Sequence, residues 1–355
     1  MNEVILAAAG SGKTTGVVTR ALAGDFGKCA IATFTQKGWE EIGRVRGALA
    51  NTDSADVETW TWFSFLLWHF VRPYQDELYE PRITELYFNQ GQSRMGVSEK
   101  NVRRHYFTPH GAIYRDKIAK FVLRVNQKSG GKVISRLERI YDTVVIDEMQ
   151  DLAGYDLDLV ELLFRSSIRV VLIGDHRQAT FRTNDSPKNK KYAKGNVVNL
   201  VEYWQSNRLC DVKYENWSYR CRPEICALAD SLFPDFPETT SYNNTETGHD
   251  GIFAVPRSQT FEYVRRYQPQ TLRYDVKTKD VVGSPLNFGE AKGLTFDRVL
   301  IYPHGPFKKF LRSGDPSVAG GSKEKIYVAI TRARQSVGFV FDDGEQVGTL
   351  EVFQV

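Results

Sequence analysis

The chain has 355 residues, of which 41% are hydrophobic and 25% are charged. This is the composition of an ordinary globular protein, and it excludes collagen-like, low-complexity and wholly disordered chains. Lys and Arg number 47 against 43 Asp and Glu, so the net charge is only +4. That small excess excludes a surface that binds nucleic acid by bulk charge alone. Any such binding must use a local groove and base stacking.

The cysteines and the apolar runs exclude further classes of protein. Four scattered cysteines without a CxxC pair disfavour a disulfide framework or a zinc site, and they are typical of reduced thiols in a cytoplasmic protein. No stretch approaches the ~20 apolar residues of a membrane span, so we expect no membrane attachment. The length predicts about two domains.

The first part of the chain alternates between predicted strands and helices. Short apolar runs at 4–9, 29–34, 143–146 and 169–173 predict buried strands, and residues 36–49 predict a helix. Buried strands that alternate with helices indicate a parallel sheet, and functional residues of such sheets lie at the carboxyl ends of the strands. We therefore expect the catalytic and ligand-binding residues to come directly after these strands.

Two later segments define the predicted domain organisation. Residues 66–131 are rich in aromatic and charged residues with only short helical stretches, and they predict a small helical insertion in the first domain. Further apolar runs between 252 and 341 predict a second sheet. The prediction is an α/β fold with two parallel sheets, in a first domain at 1–208 and a second at 209–355.

The first strand runs directly into a sequence like that of a phosphate-binding loop. The pattern GxxxxGK[ST] has glycine where Ala7 stands, but its second half is intact in GSGKTT at 10–15. Small residues let backbone N–H groups wrap a phosphate at a helix N-terminus, where Lys13 would reach the β- and γ-phosphates and Thr14 would hold Mg²⁺. The alternative is a glycine turn with a surface lysine. The predicted nucleotide-binding residues are Ala7, Ala8, Ala9, Gly10, Ser11, Gly12, Lys13, Thr14 and Thr15.

Another predicted strand ends in a pair of acidic residues. The run 143–146 delivers Asp147, which would bind the metal ion, and Glu148, which would polarise a water molecule. The alternative is an acidic helix N-terminus stabilised by the helix dipole. Together with the phosphate loop, the pair predicts a nucleotide hydrolase that uses Mg²⁺.

These two segments resemble those of the UvrD/Rep-like DNA helicases of superfamily 1. Counterparts of that family's other motifs follow along the chain in the family's order. They are TFTQK at 33–37, TWFS at 61–64, GDHRQA at 174–179, WSYR at 217–220, EAKGLTF at 290–296 and YVAITRAR at 327–334. The order of the set, rather than any single motif, carries the resemblance.

The resemblance implies a fold and an ATP site. Members of the family have two RecA-like P-loop domains, with ATP in the cleft between them. Carried over by motif, Gln178 would sense the γ-phosphate, while Arg220 and Arg332 would reach it from the second domain, Arg332 as the arginine finger. Tyr219 would stack near the adenine, and Gly293 would contribute to nucleotide binding.

The resemblance also implies a nucleic-acid partner. Members of the family translocate 3′ to 5′ on single-stranded DNA, so the partner would be single-stranded DNA or a single-strand/duplex junction. A protein partner such as a nuclease is compatible with this. Thr33, Phe34, Trp62 and Phe63 would contact the strand, the aromatic rings by stacking on bases. For these rings the alternative is a place in the hydrophobic core.

Three functions remain open at this point. The leading hypothesis is an ATP-dependent translocase or helicase on single-stranded DNA. The alternative is a regulatory NTPase switch that controls a partner protein and unwinds little. Two departures from the family favour it. Phe181 and its neighbours provide no Trp after GDHRQA at 174–179, the counterpart of the family's motif III, and the large second-domain insertion is missing. A nucleotide kinase would explain the phosphate loop only, and gives no joint role to Gln178, Arg220 and Arg332.

Overall fold

The computed structural model describes residues 1–49, 56–345, 347–348 and 350–354. Residues 50–55, 346, 349 and 355, which the predicted domains include, lie outside the described part. The chain divides into two compact units. The first consists of Met1–Leu6, Lys13–His176 and Phe181–Tyr214, and the second of Ala7–Gly12, Arg177–Thr180 and Glu215–Val355.

This division differs in detail from the predicted domains. The units part after Tyr214 rather than after residue 208, and the segment Ala7–Gly12 clusters with the second unit. Backbone hydrogen bonds account for that clustering, because Ala8 N donates to Glu215 O at 2.9 Å and Tyr219 N donates to Gly10 O at 2.9 Å. The predicted boundary between residues 208 and 209 stays a prediction.

The first unit is built from short strands and helices that alternate along the chain. Its strands are β1 (Glu3–Ala7), β2 (Cys29–Thr33), β3 (Val57–Thr61), β4 (Leu86–Tyr87), β5 (Ile113–Tyr114), β6 (Thr143–Ile146), β7 (Arg169–Gly174) and β8 (Asp211–Glu215). Its α-helices are α1 (Lys13–Leu22), α2 (Gln36–Leu49), α3 (Trp62–Phe65), α4 (Val102–Tyr106), α5 (Ile118–Lys128), α6 (Lys132–Glu138), α7 (Tyr155–Phe164) and α8 (Val197–Ser206).

The central sheet of the first unit has the order β3-β2-β6-β7-β1-β8 among the described residues. The pairs from β3 to β1 are parallel. Strands β1, β2 and β6 are buried along their whole length, as parallel strands are when helices cover them. Their carboxyl ends share one edge of the sheet, so the segments that follow Ala7, Thr33 and Ile146 emerge together. The predicted α/β class with a parallel sheet is confirmed.

The predicted insertion packs into the core of the first unit. It contains a π-helical turn at Leu66–Val71, the helices α4 and α5, and the parallel pair β4–β5. Phe70 and Phe121 are fully buried in the same cluster as Val144 of the central sheet and Trp204 of α8. The insertion is therefore helical, as predicted, and it is an integral part of this core rather than a separate lobe.

The second unit is also built on a parallel sheet. Its strands are β9 (Trp217–Ser218), β10 (Thr240–Ser241), β11 (Gly251–Pro256), β12 (Gln270–Arg273), β13 (Leu286–Asn287), β14 (Phe296–Tyr302), β15 (Ala333–Phe341) and β16 (Glu351–Val352). Its α-helices are α9 (Pro223–Asp230), α10 (Thr260–Tyr267), α11 (Gly305–Ser313) and α12 (Lys323–Ile330). Among the described residues the sheet order is β13-β12-β14-β15-β11-β16 and its pairs are parallel. The second predicted sheet is confirmed.

Side chains of the helices and of the central strands form the core of the second unit. Ile301 of β14 and Phe339 of β15 pack in one buried cluster with Phe307 of α11 and Ile326 of α12.

No helix within the described ranges is both long and apolar enough to cross a bilayer.

A buried histidine lies in an aromatic stack beside this sheet. The ring of His249 stacks on Phe253 at 4.2 Å and on Tyr267 at 3.6 Å between centroids. Its Nε2 lies 2.9 Å from the Tyr263 hydroxyl. Burial lowers the pKa of His249 to about 4, and Arg298 lowers it further while Asp250 acts in the opposite direction. The folded protein therefore favours the neutral ring.

We expect this histidine to make the fold sensitive to acid. Because the folded pKa lies below the unfolded value, the stabilisation is present above pH ~6.5 and is lost as pH falls towards 4. Between pH 7 and 5 the loss is as much as about 2 kcal/mol, which urea unfolding at both pH values would measure. His249→Phe should reduce the loss between pH 7 and 5 by about this amount, whereas His110→Phe, at an exposed histidine, should leave the loss unchanged. An equal pH dependence in the two variants would contradict the assignment.

Candidate nucleotide-binding site and nucleic-acid surface

The phosphate loop follows β1, and its glycines have backbone conformations that other residues avoid. Gly10 and Gly12 have φ angles of +81° and +85°. A Cβ atom at Gly10 would lie 2.5 Å from Arg220 Cβ and 2.6 Å from Ser218 Oγ. Glycine is therefore required at position 10 both for its φ angle and for the close approach of these neighbours.

The WSYR motif at 217–220 donates hydrogen bonds to backbone oxygens of the phosphate loop. Ser218 Oγ donates to Ala9 O at 2.7 Å, and Trp217 Nε1 donates to Ser11 O at 3.2 Å. With the bond from Tyr219 N to Gly10 O, three consecutive residues of the motif bind three consecutive residues of the loop. These three bonds hold the backbone of the loop in its observed shape.

The first helix and the acidic strand end meet within the first unit. Helix α1 begins at Lys13, and Thr14 Oγ1 donates to Asp147 Oδ2 at 3.0 Å. Burial raises the pKa of Asp147 to about 6, and the charge of Glu148 adds to the rise, while Lys13 and the Thr14 hydrogen bond oppose it. A carboxylate that is this poorly solvated gains by binding a cation.

The side-chain oxygens of Thr14 and Asp147 suit a magnesium ion whose remaining ligands are phosphates and water. Thr14 and Asp147 offer a hydroxyl and a carboxylate, which are hard oxygen ligands. Within the described residues, no group of three or more His, Cys, Asp or Glu side chains could form a complete metal cage. Mg²⁺ in phosphoryl-transfer sites commonly has one or two carboxylate ligands together with substrate phosphates and water, so the residues present fit the ion.

Glu148 has a strained backbone at the carboxyl end of β6. Its φ angle of 60° is unusual for a residue other than glycine, and such conformations are concentrated at functional sites. Its backbone N donates to Asp147 Oδ1 at 2.8 Å, and Gln150 Nε2 donates to its carboxylate. Gln150 Oε1 in turn accepts from Asp175 N at 3.1 Å, so the orientation of the carboxylate is linked to the end of β7.

Arg332 is buried and makes hydrogen bonds with each of its guanidinium nitrogens. Nε donates to Val328 O at 2.9 Å and Nη1 to Leu294 O at 3.1 Å. Nη2 donates to Gln178 Oε1 at 3.0 Å and to Thr331 Oγ1 at 3.2 Å. The structure therefore brings together two predicted phosphate-sensing residues, Gln178 and Arg332, that are 154 positions apart in the chain.

A cavity of about 610 Å³ opens beside the phosphate loop in the second unit. Its lining includes Gly10, Gly12, Tyr219, Arg220, Arg298 and Arg334. The volume is within the ~300–1,000 Å³ of small-molecule sites, and three guanidinium groups favour an anionic ligand. Of the predicted nucleotide-binding residues, Gly10, Gly12 and Tyr219 line the cavity. The others lie outside its lining: Ala7, Ala8, Ala9, Ser11, Lys13, Thr14, Thr15 and Gly293.

Sequence reasoning missed Asn243, which positions two arginine-bearing segments. Its Nδ2 donates to Arg220 O at 2.7 Å and to Arg334 O at 3.0 Å. It lies in a polar, turn-rich stretch without a motif, so no local signal marks it.

Three of the predicted nucleic-acid contacts are buried instead. Trp62 is fully buried, and its Nε1 donates to Asp156 Oδ1 at 2.9 Å. Thr33 and Phe63 are also buried. Trp62 and Phe63 therefore have the core role that was their alternative, because α3 turns their rings into the unit as the chain leaves β3. Phe34 remains partly accessible and packs edge-on against Trp62 at 6.0 Å.

The exposed rings in this region belong to residues that the motifs do not include. Phe88 lies edge-on to Phe63 at 5.5 Å between centroids and is 66% exposed. Phe181 is 47% exposed in the stretch after motif III. The positions of aromatic residues in the sequence do not show which rings remain at the surface. Only the fold identifies Phe88 and Phe181 as exposed.

Two family models match this chain. An AAA domain model matches residues 2–183. A model described as the viral superfamily 1 RNA helicase core domain matches residues 126–341, which is more than half of the chain. The chain belongs to the superfamily 1 helicases. The predicted resemblance is thereby confirmed at the level of the superfamily, and the UvrD/Rep-like grouping within it stays a prediction.

Solved helicase structures resemble this superfamily 1 chain at low identity. Arterivirus nonstructural protein 10, a helicase, is 14% identical with a TM-score of 0.49, over 97% of this chain and 60% of that one. The same arterivirus helicase in complex with DNA gives 14% identity and a TM-score of 0.49, over 98% of this chain and 62% of that one. The chain thus spans about three fifths of the length of these helicases. No curated protein shows a significant match to the sequence.

Proposed function

We propose that this superfamily 1 chain hydrolyses ATP to translocate on single-stranded DNA in the 3′ to 5′ direction and to unwind duplex DNA, as a member of the UvrD/Rep type. The observation that carries the proposal is the 3.0 Å hydrogen bond between Thr14 of the phosphate loop and Asp147, with Glu148 as the next residue. A phosphate loop alone binds nucleotide. The adjacent carboxylate pair adds a metal ligand and a base, which hydrolysis requires.

The phosphate loop is proposed to bind the triphosphate. Backbone N–H groups between Gly10 and Gly12 would surround the phosphates, and the Lys13 ammonium would neutralise the β- and γ-phosphates. Thr14 and Asp147 would hold Mg²⁺, which supplies neutralising positive charge to the phosphates when it is bound. The burial of the Asp147 carboxylate supports this assignment, because a poorly solvated carboxylate is stabilised by a bound cation.

Glu148 is proposed to orient and deprotonate the attacking water. Gln150 binds its carboxylate, so its direction is fixed without a further rearrangement. Gln178 and Arg332, which bind each other, are proposed to respond to the γ-phosphate, with the Arg332 guanidinium stabilising charge in the transition state. Arg220, at the wall of the cavity, would contribute a second positive charge.

The proposed partner is single-stranded nucleic acid or its junction with a duplex. Phe34, Phe88 and Phe181 offer partly or largely accessible rings, and base stacking on such rings is worth ~1–3 kcal/mol per base. One matched family model describes RNA helicases, whereas the arterivirus helicase was solved with DNA, so both nucleic acids belong in the test.

The test is the steady-state ATPase rate with and without single-stranded DNA, repeated with single-stranded RNA, at low and moderate salt. We expect strong stimulation by DNA that weakens as salt rises, because phosphate contacts release counterions. Glu148→Gln serves as the blank. Unwinding of duplexes with a 3′ or a 5′ overhang then tests the direction, and unwinding from the 5′ overhang alone would contradict it.

The alternative is an NTPase switch that controls a partner protein such as a nuclease. It is favoured by the absence of Trp after motif III and by the short second unit, in which Glu215–Val355 holds the whole sheet. Hydrolysis that responds to neither DNA nor RNA would favour the switch over the motor.

A further inference from the structure

A short two-stranded ribbon in the second unit presents two tyrosines side by side. Strands β9 and β10 are parallel, with Ser218 opposite Ser241, and Tyr219 and Tyr242 follow these residues directly. Tyr242 N donates to Ser218 O at 2.8 Å, so the pairing continues to the tyrosines. Their rings are stacked, with centroids 5.3 Å apart and planes inclined by 28°.

Both rings remain in solvent although they are large and apolar. Tyr219 is 63% exposed and Tyr242 is 55% exposed. Each covers part of one face of the other, which leaves a ring face on the outside of the stack. A rigid exposed aromatic face of this kind is suited to stacking on another flat ring.

The stack is fixed to the nucleotide site by its backbone. The bond from Tyr219 N to Gly10 O joins it to the phosphate loop, and Tyr219 lines the same cavity as Gly10 and Gly12. On the other side, Asn243 binds the backbone oxygens of Arg220 and Arg334, and both of these arginines line the cavity. A triphosphate bound at the loop would therefore lie close to the Tyr219 ring, which its base could reach.

We propose that Tyr242 is a positioning residue of the nucleotide site, which packs on the Tyr219 ring, holds that ring in place for stacking on the base, and thereby favours purine over pyrimidine nucleoside triphosphates. The inference rests on the proposed function. Tyr242 holds the Tyr219 ring in one orientation, so less side-chain entropy is lost when the base binds. Stacking gains grow with the area of the ring, so a purine gains more than a pyrimidine.

The test compares KM and kcat for ATP, GTP, CTP and UTP in the wild type and in Tyr242→Ala. We expect the substitution to raise KM for the two purine nucleotides about three- to tenfold, with a smaller rise for the pyrimidines. The effect should fall on KM rather than on kcat. Tyr242→Phe keeps the ring and should restore the purine preference. Tyr214→Ala, at a similarly exposed tyrosine of β8, is the matched control.

Inorganic tripolyphosphate separates base stacking from loop structure, because it has phosphates and no base. Its inhibition constant should be the same in Tyr242→Ala and in the wild type. Equal weakening of tripolyphosphate and ATP, or an unchanged purine KM, would overturn the inference. If the wild type hydrolyses no nucleotide, the proposed reaction fails. Calorimetric binding of ATP and CTP to the same variants then decides the role of Tyr242 separately.

Discussion

Glu148→Gln should reduce ATP turnover by about 10²–10⁴-fold while nucleotide binding is retained. The amide keeps the size of the side chain but cannot accept a proton from the attacking water. Steady-state hydrolysis measures the loss, and calorimetric titration with ATP measures binding. Because Thr14, Asp147 and the loop are unchanged, the affinity should remain near that of the wild type.

The matched control for this substitution is Glu161→Gln on α7. Glu161 forms a surface ion pair with Arg165 at 2.8 Å, and a pair of this kind contributes little to stability. The Glu161→Gln variant should hydrolyse ATP at the wild-type rate. A Glu148→Gln protein that turns over as fast as this control would show that another group activates the water.

Arg332→Ala should lose about 10³-fold or more in turnover, which is the contribution of an arginine that neutralises transition-state charge. The structure adds a second expectation. The guanidinium is buried and binds Val328 O, Leu294 O and Gln178 Oε1, so its removal also costs stability, by about 1–3 kcal/mol. Thermal unfolding should therefore be measured with hydrolysis, so that unfolded protein is not counted as inactive enzyme.

Arg332→Lys tests the role if the alanine variant folds poorly. Lysine keeps the charge but cannot reproduce the planar set of donors, so we expect it to fold and still lose most of the turnover. Arg312→Ala removes an exposed arginine of α11 that pairs with Glu345, and it should leave hydrolysis unchanged. Turnover of Arg332→Ala within tenfold of that control would contradict the proposed role.

Motifs formed by consecutive residues could be predicted from the sequence. The phosphate loop is a strand, two glycines and a helix start within a dozen residues, and Asp147 and Glu148 directly follow β6. Backbone geometry dictates such arrangements locally: a buried apolar strand ends at the edge of a parallel sheet, and glycine permits the turn that follows. The helix predicted at 36–49 has the same bounds in the structure.

Side chains could not be assigned to surface or core in this way. Trp62 and Phe63 follow a strand end like the functional residues do, yet both are buried, while Phe88 in the insertion remains exposed. The difference arises because the insertion packs over α3 and completes the core there. The packing of remote segments decides the fate of each ring, and no pattern within a few residues contains that information.

The sequence by itself determined the α/β class, the superfamily and the residues of the phosphate loop and the acidic pair. Only the tertiary structure decided that Gln178 meets Arg332, that Tyr242 stacks on Tyr219, and that Asn243 joins two arginine-bearing segments. The physical reason is the range of the interactions. Strands, turns and helix starts follow from the dihedral preferences of neighbouring residues, whereas hydrogen bonds and ring contacts across long separations depend on how the sheets and helices pack.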